Sequence, residues 1–181
     1  MNRKTLVATA LAATASVLLW RLRPDSSPPA QPRRTLIERE PRLITRLAAW
    51  EPAAPNSGLG RLVCYLSAAP VTAGGLVLGA LSGRTPRIND GVLVFANARG
   101  PAGWMLRRRG FTAATLGHAI IASSEPSAQL LRHELTHARQ AERFGPLFAP
   151  LYIAALIIYG YRQNPFERAA YLAGERHTTA M

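Results

Sequence analysis

The chain has 181 residues, 48% of them hydrophobic, and a net charge of +12 carried almost wholly by arginine, with Lys4 the only lysine. That length suits one modest domain with attachments, and the single cysteine, Cys64, excludes an intrachain disulfide and a cysteine-based zinc ribbon. The arginines flank apolar runs, and aromatic residues at 7% are too few to interleave a basic stripe, so membrane lipid is the expected partner and no nucleic acid is expected.

Residues 1–23 hold an apolar run, Thr5 to Trp20, preceded by Arg3 and Lys4 and followed at once by Arg21 and Arg23. It reads as a signal-anchor or transmembrane segment without a clean cleavage site. Residues 24–60 form a Pro/Arg-rich linker, in which Leu43, Ile44, Leu47 and Trp50 fall at the spacing of a short amphipathic helix. Residues 61–83 include Leu62 to Leu81, twenty residues without a charge, which predicts a transmembrane helix. Pro70, Gly74 and Gly75 weaken that helix in water but are tolerated in lipid.

Residues 84–181 are expected to form a small α+β domain. Gly91 to Asn97 predicts a strand, and Phe111 to Ala122 is a second apolar stretch with β-branched character, enough for a short, mostly antiparallel sheet of two or three strands. A helix is predicted from about Pro126 to Phe144, stopped by Gly145-Pro146. The apolar run Pro146 to Tyr161 follows, and Asn164-Pro165 opens a last helix carrying Phe166, Glu167, Ala170 and Tyr171.

Inside the predicted helix lies RHELTHARQ, Arg132 to Gln140. Residues four apart on an α-helix point the same way, so His133 and His137 can grip one ion. Glu134 sits about 100° round the helix, close enough to reach a water on that ion without being a ligand. Two imidazoles and a glutamate in this H-E-x-x-H order suit zinc and a general base. A catalytic zinc takes three protein ligands. Gln140 and Arg143 stand where a third histidine pattern would need Gly and His, and Glu142 points away from both imidazoles. Glu167 is the best third ligand: it is acidic, thirty residues beyond His137, and on a helix that can return to the first.

HELTHARQAERFGPLFAPLY followed by NPFERAAY resembles small bacterial, membrane-associated gluzincin-type zinc metalloproteases, the compact minigluzincin-like kind, over about Gly91 to Ala173. The resemblance implies a zincin-like domain with His133, His137 and Glu167 as zinc ligands and Glu134 as the base that activates water for peptide-bond hydrolysis. The downstream helix of these families often reads E-x-x-A or E-x-x-x-D; Ala170 matches the first form, but Tyr171 stands where the second has Asp, so a carboxylate that would orient a ligand histidine is not identified. Candidates for stabilising the oxyanion are Tyr171, Arg168 and His118, and Leu116 to Ile121 is the candidate strand for pairing with an extended peptide or protein substrate.

The geometry of a bilayer adds one constraint. If Pro146 to Tyr161 crossed it, Glu167 would emerge about 30 Å from the histidines, so the run is expected to pack on the domain or dip into one leaflet. Arg84 and Arg87 against Arg61 place the domain on the cytoplasmic side of a bacterial inner membrane, while the arginines between Arg21 and Arg61 argue the other way. Two further readings stay open: a non-catalytic membrane protein in which the HELTH helix is structural or binds metal without catalysis, and a basic adaptor at a membrane or nucleic-acid surface.

Overall fold

The computed structural model describes residues 41–179, so the apolar segment Thr5 to Trp20 and nearly all of the linker from Pro24 to Pro41 lie outside the described residues. Two helices precede the sheet, one short and one long. Helix α1 (Arg42–Ala48) packs on the last helix, and helix α2 (Gly58–Ala80) is capped by Ser57, whose hydroxyl accepts from the Gly60 N–H at 3.0 Å. The sheet contains β1 (Arg87–Asn89), β2 (Val92–Phe95), β3 (Ala113–Leu116) and β4 (Ala119–Ala122), in the order β1-β2-β4-β3. Helix α3 (Gly100–Arg109) connects β2 to β3. Helix α4 (Ala128–Phe144) follows β4, and a single 3-10 turn leads into α5 (Phe148–Gln163) and then α6 (Pro165–Thr179). The architecture is α+β.

Alternation along the strands assigns the two faces of the sheet. Val92, Val94 and Ile120 face α4, where they meet Leu135 and Ala138. Phe95, Ala119 and Ile121 face the other way, onto Leu78 of α2 and Ala102 and Leu106 of α3. The sheet is thus covered on both sides.

The stretch expected as one strand from Phe111 to Ala122 is a hairpin. Gly117 turns it with φ +58°, and β3 and β4 pair antiparallel on either side. β2 and β4 pair in parallel, because α3 carries the chain over between β2 and the hairpin. The sheet therefore has four strands rather than two or three, with one parallel pair.

Helix α2 is packed along the domain for most of its length. Its buried positions are Cys64, Ala68, Gly75 and Gly79, one stripe at helical spacing made of small residues. A Cβ on Gly75 would stand 2.6 Å from the Leu116 carbonyl oxygen, and one on Gly79 would collide with the Phe95 ring. Gly75, which looked like a weakness in water, and Gly79 are where the sheet approaches the helix.

By length and composition, Gly58–Ala80 and the continuous helical run Ala128–Gln163 are each apolar enough to cross a membrane. The second run bends back instead. Gly160 adopts φ +71°, ψ 171° inside α5, a conformation that glycine enters without a Cβ penalty. Asn164 then caps α6, its Oδ1 accepting from the Phe166 N–H at 3.0 Å, and Pro165 takes the first helical position. Phe148 and Ala155 of α5, Ala141 of α4 and Phe166 of α6 form the core that holds this return.

Candidate metal centre

Helix α4 starts where Ser127 accepts from the Leu130 N–H at 3.2 Å, slightly later than the Ser123–Pro126 start expected from sequence. Its buried face carries His133, Glu134 and His137. Helix α6 returns with Glu167 in its first turn, where the exposed N–H groups of a helix favour negative charge. Four potential ligand atoms of three residues then converge. His133 Nε2 and His137 Nε2 are 3.2 Å apart, His133 Nε2 lies 3.4 Å from Glu167 Oε2, and His137 Nε2 lies 3.3 Å from Glu167 Oε1.

Those separations have a simple meaning. Zinc–nitrogen and zinc–oxygen bonds near 2.0–2.1 Å in a tetrahedron put neighbouring ligand atoms about 3.3–3.4 Å apart. The Nε2–Nε2 pair and each Nε2 with its nearer carboxylate oxygen have about that spacing, the two histidines meeting different oxygens of Glu167, and one ligand atom from each residue lies within 4.8 Å of the others. Glu167 is only 2% exposed, and its Oε2 is buried without a hydrogen-bond partner. A buried carboxylate oxygen without a donor is costly. The donor set therefore fits a divalent ion.

Surrounding side chains fix these groups in place. His137 Nδ1–H donates to Gln140 Oε1 at 2.9 Å, which turns the Nε2 lone pair inward. The amide of Gln140 donates in turn to the Phe166 carbonyl at 3.1 Å, tying α4 to the residue before Glu167. Tyr152 donates its hydroxyl to Glu167 Oε1 at 2.6 Å. Without an ion, burial disfavours charge on His137, but the Glu167 carboxylate beside it outweighs this and lifts the imidazole to about 9. Burial also works against the Glu167 carboxylate, and the two imidazoles outweigh it, holding Glu167 well below the usual carboxylate range.

Glu134 lies beside this triangle on the open side. Thr115 of β3 donates to its Oε2 at 2.6 Å. A cavity of about 360 Å³ opens here, with His133, Glu134, Tyr161 and Tyr171 in its wall and Phe111 to Ala113, leading into β3, along its rim. β3 is an edge strand, so its outer backbone groups have no partner within the sheet. A larger hollow of about 650 Å³ lies elsewhere on α4, under the Glu51–Pro55 strap, and none of the three converging residues lines it.

The candidates of the sequence reading separate clearly. His133, His137 and Glu167 come together, and of these His133 lines the cavity together with Glu134. Tyr171 also reaches it, its ring 4.6 Å from the His133 ring centre to centre. Arg168 is not among the residues that line the cavity. His118 is directed elsewhere: its Nε2 is 2.9 Å from Glu142 Oε1, its Nδ1 is 3.3 Å from Thr72 Oγ1, and its ring stacks on Tyr65. Leu116 to Ile121 straddles the hairpin turn, and β4 within it is an interior strand; the free edge belongs to Ala113–Leu116.

Gln140, Tyr152, Thr115 and Tyr161 escaped the sequence reading. Gln140 carried a usable signal, since it sits three residues after His137 on the same helical face. The other three come from distant elements and had none. No family model matches the chain, and no curated protein or solved structure is significantly similar to it.

Proposed function

We propose that the chain is a membrane-associated zinc metallopeptidase of gluzincin type, with His133, His137 and Glu167 as ligands and Glu134 as general base. The observation that carries this reading is the convergence of His133, His137 and Glu167, one ligand atom from each lying within 4.8 Å of the others, with Glu167 Oε2 buried and unpartnered among them. A bound zinc supplies a Lewis acid that polarises a carbonyl and makes water acidic near neutral pH.

The chain's own residues do the rest. Glu134 takes a proton from the attacking water and delivers it to the leaving amine, with Thr115 holding the carboxylate in line. An extended peptide adds to the free edge of β3 by backbone pairing, which brings its carbonyl over the cavity. Tyr171 stands against His133 at the cavity wall and offers its hydroxyl to the developing oxyanion. Burial keeps that phenol protonated by raising its pKa.

The test is metal content and peptide cleavage of the purified full chain. One zinc per chain in the wild type is expected, lost in Glu167→Ala and in His137→Ala. Glu134→Gln should keep the ion and lose cleavage. A folded wild type that takes up no divalent ion after reloading overturns the reading, and so does one that keeps full zinc in Glu167→Ala.

A further inference from the structure

The outward face of α2 is an unbroken apolar stripe. Leu59, Leu62, Val63, Leu66, Leu76 and Val77 are all exposed, and the residues exposed between the two groups are Ala69, Pro70, Ala73 and Gly74. At 1.5 Å per residue the stripe is roughly 30 Å long. The turn that leads into α5 adjoins α2, since Ser67 of α2 lies against Gly145 of that turn. Leu147, Leu151 and Ile158 continue the exposed apolar surface along α5 at helical spacing. Soluble proteins rarely leave so large a contiguous apolar area open.

The other side of α2 shows that this face cannot belong to a helix crossing a bilayer. The sheet runs alongside it: Tyr65 donates to the Gly91 carbonyl near one end, and the Phe95 ring covers Gly79 near the other. Crossing would carry β1 and β3, both open edges, into hydrocarbon, where unpaired strand edges do not occur. It would also bring along the Arg139–Glu142–His118 cluster, bonded to α2 at its middle through Ser67 and Thr72.

Polar groups mark the ends of the stripe. Arg61 is exposed in the first turn of α2. At the far end, Arg99 N–H donates to the Ser82 carbonyl at 2.9 Å, so α3 begins against the end of α2. α3 presents Trp104, 63% exposed, and Arg108 one turn further on the same face, also exposed. Tryptophan and arginine beside an apolar surface suit the interface of a bilayer with anionic headgroups.

The geometry points to α2 and α5 lying in the plane of an anionic leaflet, apolar stripe inward, with Trp104 and Arg108 among the headgroups. The domain is thereby held on the membrane by its own surface, in addition to any N-terminal anchor. This goes beyond the proposed activity and does not depend on it.

The test reads depth at two points of α2 in the full chain, reconstituted in phosphatidylcholine vesicles with one quarter phosphatidylglycerol. A fluorophore is attached at position 66 or 77 through Leu66→Cys or Val77→Cys in a Cys64→Ala background, and quenched by lipids labelled at known depths. In-plane docking predicts equal, shallow depths for both labels. A crossing helix would separate them by about 16 Å, the rise of eleven residues, and would overturn the proposal. Labels quenched only from water overturn it too, as does energy transfer showing a second copy seated on the stripe. Trp104→Ala combined with Arg108→Glu is expected to move both labels toward water, as is omission of phosphatidylglycerol; unchanged depths in both cases would refute the anionic contact. Leu62→Cys and Leu76→Cys, about 21 Å apart along the helix axis, repeat the measurement if either first variant does not fold.

Discussion

Gln140 connects two things that sequence spacing leaves separate. Its carbonyl sets the tautomer of His137, and its amide holds the backbone next to Glu167. Replacing it with leucine removes both bonds while keeping the volume roughly constant. Partners of this kind around metal ligands are worth about 10–100-fold in affinity, and Gln140→Leu is expected to weaken zinc binding by that factor in competition with a chromophoric chelator. Glu134 is a different case. It is not part of the triangle, so Glu134→Gln is expected to leave affinity near the wild-type value and lower kcat by about 10²–10⁴, measured on any peptide the wild type cleaves. The meeting of these residues was largely legible in the chain: the HELTH spacing puts His133 and His137 on one helical face with Glu134 beside them, and Glu167 stood out as an acid on a helix able to return. Thr115 and Tyr152 were not legible, because a single Thr in a strand and a single Tyr in an apolar helix acquire their roles only when distant elements meet.

Elements were legible in type but less so in partnership. Ser127, Gly145 and Asn164-Pro165 punctuate the chain close to where α4 and α6 start or stop. The hairpin at Gly117 was hidden because its flanks, Thr115-Leu116 and Ala119 to Ile121, read as one apolar stretch. For α2, composition described the outward face correctly and said nothing about the inward one, where Gly75 and Gly79 admit Leu116 and Phe95. Gly75→Ala is expected to cost about 1–3 kcal/mol through overpacking, read as a lower midpoint of denaturant unfolding. At Gly160 the requirement is conformational. Open space surrounds its Cα, yet φ is +71°. Gly160→Val is expected to strain the return of α6 by about 1–3 kcal/mol and to reduce zinc retention on dilution, although residue 160 touches no ligand.

On the scale of the whole molecule, two polar centres on α4 act as joints. One joins α4 to α6 through Glu167; the other joins α4 to α2 through Glu142, His118 and Thr72. Burial raises the Glu142 carboxyl, but the His118 hydrogen bond and the Arg139 guanidinium outweigh it, so the group titrates below its ordinary 4.5. A depressed carboxyl stabilises fully above its unfolded value and ceases to do so as pH falls through its folded value. Glu142→Gln is therefore expected to be less stable than wild type at pH 7, with the gap in thermal midpoint narrowing below about pH 4.5. On the proposed reading, the first joint responds to metal. Zinc at a free concentration a hundred times its Kd adds about 2.7 kcal/mol to the folded state, so a chelator should lower the midpoint of the wild type and leave that of Glu167→Ala unmoved.

The return of α6 also imposes an order in time. Glu167 follows His137 by thirty residues, an interval of about 2–6 s of synthesis at roughly 5–20 residues per second. Through that interval the nascent chain has two imidazoles and no third ligand. The pair alone is a weak chelator, easily stripped by competing ligands in the cell. Durable capture waits until α5 has been made, has turned at Gly160, and has brought the carboxylate back. On the proposed reading, loading with zinc is in this way a late event in the birth of the molecule, and an ion retained through dilution reports that the last helix has docked.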